Sequence, residues 1–301
     1  MNYLVFDIGG TAIKYALMTE TCEFLEKGEI PSYSNDFDDF LNKLEDIFNN
    51  YSGIKGIAIS APGKIDSDTG YMFSGGALHY NTGKNLVEIL KQKWNLPVTI
   101  ENDGKCGALA EAWKGSLSDC KDAIVIILGT GVGGGIIKNR KLHKGHEFVA
   151  GELSFIINNT NAKKGEPLNM FGYSGGVYNG LCKPVAIKKS LPKENVNGKF
   201  VFDLANKGDK EVLEILDEYC YKIVLNIHNL QHIYNPEKIA IGGGISSQPI
   251  LLEYLNKNIE YLQENFGNIP PLSKPLLTVC KFQNDANLIG ALYNFLNKNS
   301  L

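Results

Sequence analysis

The stretch "YLVFDIGGTAIKYALM", starting at Tyr3, limits the possible folds more than any other part of the chain. A run of strand formers enters a glycine pair and leaves as a second alternating run. A helix-capping phosphate loop needs a helix after its glycines, whereas here the chain returns as a strand, so the expectation is an antiparallel hairpin. Gly9 and Gly10 permit positive φ and leave backbone N–H groups bare enough to face an anion. Thr11 adds a hydroxyl, Lys14 a nearby cation, and Asp7 a carboxylate suited to hydrated Mg²⁺ beside phosphates. Taken alone, the same turn is also what an ordinary tight hairpin needs.

A second copy of the pattern changes that balance. "VIILGTGVGGGIIK" near residue 125 again reads strand, glycine-rich turn, strand, and Leu128 to Gly135 places five glycines in eight residues. Glycine at that density weakens a strand unless something must approach the backbone. Gly129, Gly131 and Gly134 fit the dinucleotide spacing G-x-G-x-x-G, but that fingerprint requires a helix next, and "GIIKNRKLHKG" reads as strand and turn. A third cluster, "IAIGGGISS" at Ile239 to Ser247, follows an apolar strand and enters a helix. Its Gly242, Gly243 and Gly244 offer a backbone bed for a nucleotide.

Strand signals recur at Tyr3 to Phe6, Ile13 to Met18, Ile54 to Ser60, Val98 to Glu101, Ala123 to Leu128 and Lys238 to Ile241. Helical periods lie between them, most clearly where Phe37, Phe40, Leu41, Leu44, Ile47 and Phe48 form one stripe behind an Asn35 or Asp36 cap. Others cover Leu86 to Lys93, Lys105 to Trp113, Asp209 to Tyr234 and Pro249 to Asn265. The class is therefore α/β. A hairpin opening each half of a 301-residue chain suggests a duplicated fold with a cleft between two lobes, since single cores stop growing near this size. The expected division is residues 1–117, completed by a C-terminal helix at about 286–301, and residues 118–285. The polar stretch Asn158 to Pro167 is expected to be irregular.

Composition removes several function classes. A net charge of -3 provides no general field for nucleic acid or an anionic membrane. The six cysteines are scattered without a CxxC pair, which reads as reduced thiols and sets a cytoplasmic expectation. No apolar run approaches the roughly 20 residues that a membrane helix needs.

"VTIENDGKCGALAEAWKG" carries the acid–base signal. The strand at Val98 to Ile100 delivers Glu101, Asn102 and Asp103 to a helix start, where the positive end of the dipole would hold Asp103 ionised. Asn102 or Asp103 reads equally as an N-cap. A carboxylate at a strand end is also where a general base must stand if a hydroxyl is to attack a phosphoryl group.

Taken in order, DIGGT, "GIAISAPGKID" at Gly56 to Asp66, "ENDGKCGALAE" at Glu101 to Glu111, "LGTGVGGG", "AGELSF" at Ala150 to Phe155, "IGGGIS" and "NDANLIGAL" resemble the ROK family of sugar kinases in the actin-like ATPase superfamily. The resemblance implies a two-lobed actin-like (ribonuclease H-like) ATPase fold with a central cleft. It also implies an ATP- and Mg²⁺-dependent kinase acting on the C6 hydroxyl of a hexose or N-acetylhexosamine, and a homodimer. Asp103 matches the catalytic aspartate, and Gly63, Asn102 and Glu152 match sugar contacts. Asp7, Gly9, Gly10, Thr11, Lys14, Gly129, Thr130, Gly131 and Gly133 match the phosphate side, with Asp7 near magnesium. Gly242, Gly243 and Gly244 match the adenosine side.

The chain departs from that pattern where the family binds zinc. Phe155 stands at the usual histidine, Met170 at the usual glutamate, and Ile156 to Gly172 contains no cysteine or histidine. His143 and His146 lack companions for a tetrahedral site. No zinc site is expected, and the loop would be held by packing of Phe155, Leu168, Met170 and Phe171. Within the family, "ENDGKCGALAE" is similar to N-acetylmannosamine kinase, the favoured expectation, while "GIAISAPG" and Gly75 to Ala77 are similar to β-glucoside kinase; glucokinase is a further alternative. Two other classes stay open: a sugar-responsive repressor, against which the six residues before Asp7 and the absence of a basic recognition helix count, and an actin-like ATPase that takes no sugar.

Overall fold

A computed structural model of the protein describes residues 1–159, 161–267 and 271–299. Thr160 of the expected irregular stretch and residues 300–301 of the expected C-terminal helix lie outside the described residues. The chain forms two compact units. One holds Met1–Gly115, Lys141–Ala150 and the chain from Asp285 onward; the other holds Ser116–Arg140 and Gly151–Asn284.

The first unit is built on β1 (Asn2–Ile8), β2 (Ala12–Thr19), β3 (Phe24–Pro31), α1 (Phe37–Phe48) and β4 (Ile54–Ala61). A small three-stranded sheet, β5 (Ile65–Asp66), β6 (Tyr71–Met72) and β7 (Lys84–Asn85), precedes α2 (Leu86–Trp94), β8 (Val98–Asn102) and α3 (Asp103–Lys114). The main sheet runs β3-β2-β1-β4-β8, with β1 antiparallel to β2 and parallel to β4. Strands buried on both faces read as continuous apolar runs, which is why β1 was legible; β4 was legible through its isoleucines, although Lys55 and Ser60 interrupt it. Asp36 caps α1 by accepting the Asp39 N–H at 2.9 Å. Phe40, Leu44 and Ile47 of the expected stripe are buried.

The second unit repeats the plan. β9 (Ala123–Leu128) turns back into β10 (Val132–Lys138); β11 (Lys141–His143) belongs to the first unit. After α4 (Phe171–Ser174), α5 (Lys183–Lys188), α6 (Gly198–Asn206) and the long α7 (Lys210–Tyr234) come β12 (Lys238–Gly242), α8 (Pro249–Glu264) and β13 (Leu277–Val279). β9 is antiparallel to β10 and parallel to β12, which is parallel to β13. The core gathers around α7, where buried Tyr219 donates its hydroxyl to the Gly175 carbonyl at 2.7 Å.

The expected C-terminal helix is α9 (Ala286–Lys298), and it packs in the first unit against α3. Small residues of α3 allow a close crossing. A Cβ placed on Gly290 would lie 1.8 Å from the Cys106 carbonyl oxygen, a backbone atom that cannot swing away. Gly290→Ala is therefore expected to cost about 1–3 kcal/mol, as overpacking does. A urea midpoint equal to that of the parent would contradict this crossing.

Candidate active site

In the first unit the functional side chains collect at the carboxyl ends of parallel strands, where open α/β sheets place ligands. Register puts Asp7 beside Ser60, and Ser60 beside Glu101, in one row across β1, β4 and β8. Asp7 is 8% exposed; its Oδ1 accepts from Ser60 Oγ at 2.9 Å and from Asn287 Nδ2 at 3.1 Å. Burial pushes its carboxyl above the usual range, against the pull of those two donors and of Lys14, its partner across the hairpin. A hard cation with few protein ligands and a water shell would favour the charged form there, so the residues present fit Mg²⁺.

One strand away, buried Asn102 performs two tasks. Its Oδ1 accepts the Lys105 N–H at 3.2 Å as the N-cap of α3, and its Nδ2 donates to the Gly63 carbonyl at 3.1 Å. Asp103 follows as the first residue of the helix, half-buried, with its Oδ1 accepting the Gly104 N–H at 2.8 Å. Gly63 has φ +102, and a Cβ there would lie 2.0 Å from the Ser74 carbonyl oxygen. The strand Val98–Asn102 thus brings Gly63, Asn102 and Asp103 together.

Behind them stands Glu101, which the sequence delivers to the same helix start without assigning it a role. Glu101 is 2% exposed, accepts the Asn102 N–H at 2.9 Å, and is hydrogen-bonded by Ser67, whose hydroxyl receives Lys144 Nζ at 3.2 Å. Burial pushes its carboxyl up. The segment Lys141–Ala150 is fastened to the same region by Lys144 to Asp68 at 2.6 Å and by Lys64 to Glu147 at 3.1 Å.

In the second unit Gly129, Thr130 and Gly131 form the turn, closed by the Gly129 N–H to the Gly131 carbonyl at 3.0 Å. Gly133 lies inside β10 opposite Ile127. Glu152 precedes a helical turn, Leu153–Phe155, that is tied to the hairpin through Ser154: its Oγ accepts the Val132 N–H and donates to the Val132 carbonyl, each at 3.0 Å. A cavity of ≈ 410 Å³ opens beside the turn, lined among others by Gly129, Thr130, Tyr178, Asn197, Lys199 and Gly244. Gly242 ends β12, and Gly243 turns the chain with φ +96, where an added Cβ would lie 2.1 Å from the Leu128 carbonyl oxygen.

Comparison with known proteins decides the relationship. The ROK family profile matches residues 3–298. The chain belongs to the ROK family. It is 32% identical to a beta-glucoside kinase from Klebsiella pneumoniae, with 98% of this chain and 96% of that one covered. A ROK family protein from Streptococcus pneumoniae, solved with sucrose, superposes with a TM-score of 0.89 at 28% identity over 100% of this chain and 99% of that one. A Listeria monocytogenes protein put forward as an N-acetylmannosamine kinase gives 0.86 at 30%, over 99% and 100%. The fold is the α/β actin-like ATPase fold of that family.

Two expectations need correction. Gly9, Gly10, Gly129 and Gly131 have no positive φ; what their missing side chains provide is space, since a Cβ on Gly10 would stand 3.2 Å from the Ala77 Cβ and one on Gly131 3.0 Å from Ser154 Oγ. The loop at Ile156 to Gly172 is not held by its large apolar side chains, because Phe155 is 72% exposed, Leu168 56% and Met170 41%; only Phe171 is buried. Backbone and amide hydrogen bonds hold it instead: Asn158 N–H to the Asn169 carbonyl at 2.7 Å, Phe171 N–H to the Ile156 carbonyl at 2.7 Å, and Asn158 Nδ2 to Ser174 Oγ at 2.6 Å. Among the described residues no group of three or more His, Cys, Asp and Glu could hold a metal ion. Nor is any helix among them long and apolar enough to cross a membrane.

Because the Asp7 carboxyl is raised by burial, its charged form costs stability above its folded pKa and costs nothing below its unfolded value near 3.9. Asp7→Asn removes that cost, so the variant is expected to gain on the parent by more at pH 7 than at pH 4. Melting both proteins at both pH values checks this, and a gain that is equal at the two would contradict the burial argument.

Proposed function

We propose that the chain is an ATP-dependent sugar kinase that transfers a phosphoryl group to the C6 hydroxyl of a hexose. The observation that carries this is the double engagement of Asn102, which caps α3 and holds the Gly63 carbonyl while presenting Asp103 at the helix start. Support also comes from relatives named as sugar kinases that match nearly the whole chain.

In this scheme the sugar is held by Asn102, Gly63 and Glu152, and Asp103 accepts the proton of the attacking hydroxyl. Phosphoryl transfer needs little more from a protein than positioning and charge stabilisation. The N–H groups of Gly10 and Thr11 and of Thr130 and Gly131 face phosphate oxygens, with Lys14 adding positive charge, while those of Gly9 and Gly129 close the turns. Adenosine lies in the cavity lined by Tyr178, Asn197 and Lys199, with Gly242 to Gly244 as its backbone bed. Asp7 would hold magnesium, whose charge would offset that of the phosphates. Within the substrate class, a β-glucoside is favoured by the 32% identical Klebsiella relative. N-acetylmannosamine, the expectation from the "ENDGKCGALAE" motif, is supported by the Listeria structure.

Asp103→Asn is expected to lower kcat by about 10²–10⁴-fold while sugar affinity survives. Near-parental turnover in a coupled ADP-release assay would remove Asp103 from its role.

A chelator, followed by resupply of Mg²⁺, is expected to leave melting temperature and turnover intact, because the Asn158 to Phe171 loop is closed by its own hydrogen bonds. Activity lost to chelation and restored by zinc alone would contradict it.

A further inference from the structure

The small sheet of the first unit carries two large aromatic side chains that contribute nothing to its core. Along β6 the buried Met72 turns inward, while Tyr71 and the following Phe73 alternate outward, 38% and 49% exposed. Their rings meet edge to face, with centroids 5.1 Å apart and planes at 78°. Lys64 Nζ stands 5.1 Å from the Phe73 centroid and reaches Glu147 at 3.1 Å. The result is an ordered apolar floor with an acid–base pair at its rim. Such pairing of apolar faces with a few placed polar groups is typical of a small-molecule subsite.

Backbone contacts fix where this floor lies. Ser74, next to Phe73, donates its N–H to the Lys64 carbonyl at 3.2 Å. Its own carbonyl fills the space beside Gly63, whose oxygen receives Asn102 Nδ2. Ser74 alone thus separates Phe73 from Gly63, which under the sugar-kinase assignment contacts the acceptor. A hexose with C6 at Asp103 directs its C1 substituent away from that carboxylate. A β-linked pyranose has equatorial hydroxyls and bare C–H faces, so it can lie on an aromatic ring while its edge hydroxyls reach Lys64 and Glu147.

We propose that Tyr71, Phe73, Lys64 and Glu147 form a subsite for the ring attached at C1 of a β-glucoside, making a disaccharide or aryl β-glucoside a better acceptor than a free hexose. This rests on the sugar-kinase assignment and goes beyond it by naming the residues that select the second ring.

The test measures kcat/KM of the full chain for glucose, cellobiose, maltose and phenyl β-glucoside, in the parent and in Phe73→Ala and Phe73→Trp. The parent is expected to prefer cellobiose and phenyl β-glucoside over glucose and maltose. Phe73→Ala is expected to reduce the cellobiose-to-glucose ratio about tenfold, mainly through KM, and Phe73→Trp to retain it. A parent that phosphorylates glucose as well as cellobiose, or a ratio untouched by Phe73→Ala, overturns the subsite alone. Equal use of maltose and cellobiose overturns its β selectivity. No phosphorylation of any of the four overturns the sugar-kinase assignment and the subsite with it.

Discussion

The first unit's site depends on one buried amide. Asn102 sits where a strand becomes a helix, and its two ends do different work: the oxygen stops α3 from fraying and the nitrogen ties the helix start to Gly63. An N-cap lost to alanine costs typically about 1 kcal/mol. Here the same loss would also release Asp103, the carboxylate that the cap orients. Under the proposed function, stability and chemistry are therefore coupled through one side chain.

That amide is itself held in place. Glu101 grips the Asn102 N–H from behind, and Ser67 and Lys144 connect Glu101 to the segment Lys141–Ala150. A carboxylate this deeply buried is expensive unless its oxygens are satisfied, and the donors around Glu101 supply that satisfaction. Asp7 shows the same compromise with Ser60 and Asn287. Both acids are raised by burial, and carboxylates perturbed in this way cluster at functional sites.

Much of this arrangement could be read from the residues alone, and what could not has physical causes. The strands β1 and β9 were legible because burial on both faces leaves apolar runs at Tyr3–Phe6 and Ala123–Leu128, and β4 through the β-branched residues that surround Lys55 and Ser60. β3 was not, because as an edge strand it carries Glu26, Lys27 and Glu29 outward and has no clear alternation. The glycine turns were found by density, yet their backbone was misjudged: glycine is needed there to leave space, while positive φ belongs to Gly63 and Gly243. Tyr178, Asn197 and Lys199 line a cavity only because the fold brings their two segments to the Gly129–Thr130 turn and Gly244, and no local pattern announces such convergence. The exposure of Phe155 and Met170 defeats the usual rule that large apolar residues pack, because hydrogen bonds already close their loop.

The central claim is that Asn102 presents Asp103 to a sugar C6 hydroxyl. Phosphorus–proton correlation spectroscopy of the product formed from ATP and sugar tests it most directly. The account predicts a single new phosphorus signal coupled to the two C6 protons. Phosphorus coupled to the C1 proton, or inorganic phosphate appearing at the same rate with and without sugar, would contradict it.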